Sequence, residues 1–238
     1  MPYYEYRPRY TSFGPPLSPG IKKLMIIIGV VFFLQIILDN VQIIPSGFFL
    51  HYHIMPYPGL NPLFGLTPLF FWRGFIWQPV TYIFLHGGIT HIFFNLFALW
   101  MFGSDLEYRW GTRFFIKYFF ITGIGAGLCS AIFTFYSPIP IIGASGAIYG
   151  ILLAFALTYP DRDILLIFFP YPIKAKYFAL IFGLIEFVSS ISARKDGIAH
   201  MAHLGGMVIG YIYLEYPNIL KKIRRIRDRN QNDYRKWH

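Results

Sequence analysis

The sequence predicts an all-α integral membrane protein whose chain crosses the bilayer six times. Of its 238 residues, 55% are hydrophobic and only 13% are charged, whereas an ordinary soluble domain carries about 25% charged residues. Apolar runs at 24–37, 114–133 and 147–159 approach the roughly 20 residues that a helix needs to span a bilayer. Several separate runs of this kind favour a multi-pass membrane protein over a soluble protein with buried helices.

Six helices follow from the apolar runs that lie between helix-breaking residues. Their predicted bounds are 21–43, 88–108, 112–134, 145–160, 174–192 and 198–216. The polar, aromatic and proline-rich residues before them predict a flexible N-terminal tail. The predicted organisation is therefore a flexible cytoplasmic tail at 1–20, a six-helix domain at 21–216 and a basic cytoplasmic tail at 217–238.

The distribution of lysine and arginine predicts the orientation. With the N-terminus inside the cell, 18 of the 21 lysines and arginines fall on the inner side, and Arg73, Arg194 and Lys195 fall on the outer side. Basic residues collect on the cytoplasmic side of membrane helices, so both termini are expected in the cytoplasm and the protein in the cell (inner) membrane. The basic C-terminal tail could bind RNA, but contact with anionic lipid is the favoured interpretation, and no nucleic-acid partner is expected.

A long connection joins the first two predicted spans. Residues 44–87 are rich in aromatic residues, proline and glycine and carry almost no charge. Trp and Tyr settle at the membrane–water interface, and a disordered linker would be more polar. The connection is therefore predicted to lie in the interface.

Cysteine and histidine usage predicts no cofactor. The single cysteine, Cys129, cannot form an intrachain disulfide. No Cys/His spacing typical of a zinc site is present. Neither a metal nor another cofactor is expected.

Polar residues within the predicted spans are the candidate functional residues, because they are costly in a bilayer and tend to be functional. Ser145 begins the fourth span in GASGAIYG, His91 and Asn95 lie four residues apart on one face of the second, and His203 lies in the sixth. All four are within a few residues of the outer ends of their spans, so their depths match. Each alone has an ordinary explanation in helix packing or in a hydrogen bond to a carbonyl.

Together these residue types predict an activated serine. Histidine, whose ordinary pKa is near 6.5, can accept the Ser145 hydroxyl proton at neutral pH. His91, Asn95 and the backbone N–H of Ser145 at a helix N-terminus can supply hydrogen bonds to a developing oxyanion.

Glycines predict that the fourth and sixth spans pack closely. Gly206 and Gly210 lie three and seven residues after His203, and Gly146 and Gly150 lie in the fourth span. Small residues at this spacing let helix backbones approach. Such a contact would bring His203 to the serine.

Two further side chains near this contact have expected positions. Tyr149, one turn after Ser145, lies where its ring could support the imidazole. His200 lies six and ten residues from the two glycines of the sixth span, so it is expected at the outer rim, bonded to Glu186 or to water.

At these residues the sequence resembles the rhomboid family of intramembrane serine proteases. The matching motifs are HIFFN, GASGAIYG and AHLGGMVIG, with WQPVTYIFLH resembling the first-loop region, and the similarity covers residues 75–215 in order. The resemblance implies a six-transmembrane-helix rhomboid core with a large interfacial first loop. It also implies cleavage of single-pass transmembrane protein substrates in the lipid bilayer by a Ser/His dyad without an acidic third member.

The resemblance assigns roles to individual residues. It implies Ser145 as nucleophile, His203 as base, and His91 with Asn95 at the oxyanion. The supporting residues are Gly143, Gly146, Tyr149, Gly206 and Gly210.

One departure from the family pattern and two rival functions complete the prediction. Trp77-Gln78 stands where the family often has Trp-Arg, which puts a structural role for that Arg in doubt.

The first rival function is that of a catalytically inactive rhomboid-like protein that binds membrane clients. The second is a transporter or channel that uses Glu186, but the spans show no convincing inverted repeat.

Overall fold

Six long helices make up most of the part of the chain that the computed structural model describes, which comprises residues 14–38, 60–166, 169–191 and 199–236. The helices are α1 Pro19–Leu38, α2 Ile89–Trp110, α3 Thr112–Phe133, α4 Ser145–Thr158, α5 Ala175–Ile191 and α6 His200–Lys236. Each begins within two residues of a predicted start. The predicted end of the first span, at 39–43, lies outside the described residues.

Three of these helices, α1, α2 and α3, are long and apolar enough to cross a membrane, and α4 is a shorter apolar helix. α1 exposes large apolar side chains along its outer face, including Ile26, Val30 and Phe33. A contiguous apolar surface of this kind is unfavourable in water and expected against lipid. The protein is therefore embedded in a membrane.

Helix α4 lies at the centre of the bundle, in contact with α2, α3, α5 and α6. Most of its residues are buried, and many of those are glycine or alanine, which lets the neighbouring backbones come close. With 14 residues it is about 21 Å long, shorter than a hydrocarbon core of about 30 Å. Its two ends therefore cannot both reach the membrane surfaces.

The segment before α2 folds into short helical turns at Asn61–Phe64, Pro68–Phe71 and Gln78–Thr81, followed by a 3-10 turn at Tyr82–Phe84. Gln78 is fully buried among them. Its side-chain oxygen accepts the backbone N–H of Thr67 at 3.1 Å, and its nitrogen donates to the carbonyl of Pro62 at 3.3 Å. Gln78 therefore ties these turns together. Residues 44–59 of the predicted interfacial loop lie outside the described residues.

A two-stranded hairpin differs from the all-α prediction. Strand β1 (Asp163–Leu166) pairs antiparallel with β2 (Phe169–Lys174), and Asp163 lies opposite Lys174. The β2 segment FPYPIK contains two prolines, which argue against a strand in sequence but are tolerated at a sheet edge.

The ends of the predicted domain also differ from the structure. α6 continues through Pro217 to Lys236, so residue 216 is not a helix end. Residues 14–20, predicted as tail, pack against α2: Ser18 is fully buried, and the N–H groups of Gly20 and Ile21 donate to Glu107. The rest of the predicted N-terminal tail, residues 1–13, lies outside the described residues.

Candidate active site

Ser145 is the first residue of α4, and the segment before it is held on two sides. Leu66 and Ile141 exchange backbone hydrogen bonds, and the Gly143 N–H donates to the Tyr82 carbonyl at 2.9 Å. The Tyr82 hydroxyl in turn donates to the Gly123 carbonyl on α3 at 2.6 Å. The loop before α2 and helix α3 therefore fix the point at which α4 begins.

Position 143 requires glycine for two reasons, its backbone conformation and its closeness to His91. Its φ is +118°, in the region that favours glycine. A Cβ at this position would lie 2.8 Å from His91 Nε2 and 3.8 Å from Asn95 Nδ2. The absent side chain leaves the space beside Ser145 open to both groups.

The structure brings His203 to Ser145. His203 Nε2 lies 2.8 Å from Ser145 Oγ, and the histidine is only 8% exposed. The close approach of α6 to α4 depends on glycine, since a Cβ at Gly206 would overlap the carbonyl oxygen of Gly146, and one at Gly150 would lie 2.9 Å from the Gly206 oxygen.

Gly210 has a different neighbour from the one that the sequence predicted. It faces α3, where a Cβ would overlap the Tyr118 hydroxyl. That hydroxyl donates to the Gly150 carbonyl at 2.8 Å. Gly210 therefore makes room for a tyrosine that links α3 to α4.

Tyr149 and Glu186 surround the His203 imidazole. The Tyr149 ring stacks on it, with centroids 4.3 Å apart and an angle of 11° between the planes, and its hydroxyl donates to Glu186 Oε1 at 2.5 Å. Glu186 Oε1 also lies 2.9 Å from His203 Nδ1, on the side of the ring away from Ser145. The second carboxylate oxygen lies 2.6 Å from His200 Nδ1, which is the contact expected for His200.

The contact between Glu186 and His203 is the feature that the sequence reasoning missed. Glu186 is the one acidic residue of the predicted fifth span, and that was the available signal. Spacing along one helix does not reveal which residue of another helix a side chain meets.

His91 and Asn95 are residues of α2, and both lie beside Gly143. His91 Nδ1 accepts the Gly87 N–H at 3.2 Å, so the proton of the neutral ring is on Nε2, the atom that faces Gly143. The Asn95 side chain donates to the His91 carbonyl at 3.1 Å. Both line the same cleft as Ser145 and His203.

His86 packs behind His91 and was not singled out from the sequence. The two rings meet edge to face at 5.0 Å, and the Gln35 side chain bonds both the N–H and the carbonyl of His86. Burial, with the nearby His91 as a second cause, lowers the pKa of His86 to about 4. His86 is therefore a neutral support for His91 at physiological pH.

A cleft of about 1330 Å³ leads to Ser145. Its walls are mostly apolar and come chiefly from α2, α4, α5 and the segment before α4, with Phe102, Phe178 and Phe182 among the lining residues. The polar groups that line it include His91, Asn95 and His203 as well as Ser145. An apolar segment that ends at a reactive polar centre fits such a cleft.

Among the described residues, one cluster of three side chains could hold a metal ion. Ligand atoms of Glu186, His200 and His203 lie within 4.8 Å of one another. Within it the carboxylate contacts both imidazoles directly.

Comparison with known proteins gives one consistent result. The rhomboid domain model matches residues 73–216, more than half of the chain. The chain is 30% identical over 158 residues to Rhomboid protein 1, mitochondrial, of Saccharomyces cerevisiae, covering 65% of this chain and 45% of that protein. It is 32% identical over 140 residues to rhomboid protease GluP of Bacillus subtilis (58% of this chain, 25% of that protein). It is 30% identical over 167 residues to rhomboid protease AarA of Providencia stuartii (62% and 58%). The chain thus spans between a quarter and three fifths of the length of these relatives.

Proposed function

The chain belongs to the rhomboid family, and from that premise we propose that it is an active intramembrane serine endopeptidase that cleaves transmembrane proteins with Ser145 as nucleophile and His203 as base. Family membership supports intramembrane proteolysis in general. The observation that carries the finer proposal is the 2.8 Å separation between Ser145 Oγ and His203 Nε2. An inactive member would need neither residue in this geometry.

The reaction proceeds in two stages. In the first, Ser145 Oγ bonds to the scissile carbonyl carbon while its proton passes to His203 Nε2, and that proton then goes to the leaving amine as the C–N bond breaks. In the second, water gives a proton to His203 and attacks the acyl-serine ester. Release of the new carboxyl end returns the proton to Ser145 Oγ.

The negative charge on the carbonyl oxygen is stabilised by donors beside Gly143. His91 Nε2 carries a proton because Nδ1 already accepts the Gly87 N–H, and the Asn95 amide lies next to it. The Ser145 N–H at the start of α4 adds a third donor together with the positive end of the helix dipole. These groups are already oriented before substrate arrives, so little reorganisation is needed.

The proposed setting is a chain with six spans, both termini in the cytoplasm and the first loop in the interface. α4 is too short to reach both membrane surfaces, and in this proposal its Ser145 end is the one below the outer surface, where the serine meets a peptide bond within the bilayer. Single-pass membrane proteins are the substrate class that can present such a bond. The chemistry uses side chains and water alone, with no cofactor and no nucleic-acid partner.

Labelling with a fluorophosphonate tests this proposal. The purified protein in detergent should be modified at Ser145, as located by mass spectrometry, and Ser145→Ala should lose both labelling and cleavage of a model transmembrane substrate. Thermal unfolding should be nearly unchanged in that variant, since the serine contributes one small side chain. Full cleavage by Ser145→Ala would exclude this serine as nucleophile, and a folded wild-type protein that neither labels nor cleaves would favour the inactive, client-binding function.

A further inference from the structure

We propose that Glu186 is a positioning residue for His203, so that the site operates as a Ser145–His203–Glu186 triad; the inference rests on the proposed function. The two ring nitrogens of His203 face different groups. Nε2 lies 2.8 Å from Ser145 Oγ, and Nδ1 lies 2.9 Å from Glu186 Oε1. A carboxylate at Nδ1 keeps the proton on that nitrogen, which leaves the Nε2 lone pair for the serine proton.

Glu186 is held in place by groups on two other helices. It is 5% exposed, and a buried carboxylate is costly unless it is paired and hydrogen-bonded. The Tyr149 hydroxyl donates to Oε1 at 2.5 Å, and His200 Nδ1 lies 2.6 Å from Oε2. Both carboxylate oxygens are therefore fixed, and α5 is tied to α4 and α6 at the depth of the serine.

The imidazole is held on its face as well as on its edge. Tyr149 stacks on His203 with centroids 4.3 Å apart, and the same tyrosine bonds the carboxylate that meets Nδ1. Stacking alone would allow the ring to flip about its Cβ–Cγ bond, because a flip leaves the ring plane unchanged. A hydrogen bond from Nδ1 to the carboxylate would select the orientation in which Nε2 points to Ser145.

The Nδ1–Oε1 approach is close in distance but not yet well aligned. Buried His203 Nδ1 makes no hydrogen bond of good geometry to the described residues, although Glu186 lies within reach. A buried ring N–H requires an acceptor. Catalytic hydrogen bonds are often misaligned in the free enzyme and tighten when substrate binds.

The same three side chains could instead bind a metal ion, but their spacing favours direct hydrogen bonding. The Glu186 oxygens lie 2.6 and 2.9 Å from the two imidazole nitrogens. Ligands of a tetrahedral zinc ion are about 3.3 Å apart. The carboxylate is therefore in direct contact with both rings, at the separation of hydrogen-bonded atoms.

The test compares Glu186→Gln with Glu215→Gln, the same change on a glutamate of α6 outside the site. The titratable groups that face Glu186 among the described residues are Tyr149, His200 and His203. In Glu186→Gln, kcat should fall roughly 10- to 100-fold with KM and the melting temperature unchanged.

Two further experiments distinguish a role of Glu186 in positioning His203 from a role in stability alone and from metal binding. Glu186→Asp keeps the charge and should retain more activity than Glu186→Gln, and EDTA should leave the wild-type rate unchanged. An unchanged kcat in Glu186→Gln, or a loss of activity that follows only a fall in melting temperature, would overturn the triad. So would inactivation by EDTA that Zn²⁺ reverses. Because Ser145→Ala tests the proposed function separately, either proposal can fail without being mistaken for the other.

Discussion

Two buried glutamates, Glu107 in α2 and Glu186 in α5, meet the same electrostatic requirement with different partners. Glu107 accepts the backbone N–H groups of Gly20 and Ile21, at 2.7 and 2.8 Å, and hydroxyl protons from Ser18 and Thr112. It joins the start of α1 and the start of α3 to the end of α2. None of these donors changes its protonation at ordinary pH.

The partners of Glu186 among the described residues are the hydroxyl of Tyr149 and the rings of His200 and His203. Imidazoles gain and lose protons near neutral pH, and the His203 ring also contacts Ser145. The comparison teaches that burial of a carboxylate does not by itself mark function. What distinguishes the two sites is whether the donors can titrate and whether they line a cleft.

Removal of the proposed base should have the largest effect on activity. His203→Ala should reduce kcat by about a thousandfold or more, because the serine hydroxyl then has no group to accept its proton. Melting temperature and kcat should be measured together in detergent. Near-normal turnover by a folded His203→Ala protein would contradict the proposed dyad. It would also remove the functional role of the histidine that distinguishes Glu186 from Glu107.

A methyl group at the contact between α4 and α6 should be the next most damaging change. In Gly206→Ala the new Cβ would overlap the Gly146 carbonyl oxygen, so α6 must move away from α4 and carry His203 with it. We expect a loss of about 1–3 kcal/mol in the free energy of unfolding and at least a tenfold loss of activity. The matched control is Gly29→Ala on α1, where a Cβ meets nothing within 4 Å. Because alanine favours a helix more than glycine does, Gly29→Ala should not destabilise the protein, and equal losses in the two variants would show that the contact at Gly206 is not responsible.

Glu107→Ala should separate stability from chemistry. It leaves the N–H groups of Gly20 and Ile21 without their acceptor, with an expected loss of about 2–4 kcal/mol. The cleavage rate per folded molecule should be unchanged, because none of these groups lines the cleft. The measurement pairs thermal unfolding with active-site titration by a fluorophosphonate. If kcat per titrated site fell as much as in Glu186→Gln, the distinction between the two glutamates would be lost.

A cross-link between α2 and α5 tests how substrate reaches the cleft. The rings of Phe102 and Phe178 lie 5.8 Å apart across these helices. In a Cys129→Ala background, Phe102→Cys with Phe178→Cys joined by a short bismaleimide should slow cleavage of a transmembrane substrate about tenfold, if the substrate enters between α2 and α5. The small fluorophosphonate should still label Ser145. Full cleavage activity after complete cross-linking would exclude entry at this place.

The helix starts could be predicted because their signals are local. Apolar runs bounded by glycine, proline and charge identify them, and the glycines at 146, 150 and 206 predict the contact that brings His203 to Ser145. Membership of the rhomboid family, predicted from the same motifs, is confirmed by the domain match. The roles of the site residues and the arrangement of the spans in the membrane stay predictions.

Other features could not be predicted, for identifiable physical reasons. α5 is apolar on nearly every side and exposes large side chains such as Leu184 and Val188, so periodicity does not reveal that Glu186 faces His203. The packing of residues 14–20 depends on backbone N–H groups, which have no sequence signature, meeting Glu107 far along the chain. The β-hairpin lies in a proline-containing segment whose alternation is hidden by the general apolarity of the chain.

The smallest expected effect is that of His200→Ala. It distinguishes a residue that takes part in the reaction from one that only holds the Glu186 carboxylate in place. His200 and His203 lie one turn apart, but His203 contacts Ser145 whereas His200 contacts the far oxygen of Glu186. His200→Ala should therefore keep at least a tenth of the activity, because Tyr149 still fixes the other carboxylate oxygen at 2.5 Å. His200→Gln, which can still donate to the carboxylate, should keep more. These rates are compared with that of His203→Ala under the same conditions. Equal losses in the two alanine variants would mean that the histidines act as one coupled unit. A greater loss in His200→Ala would show that His200, and not His203, is the base.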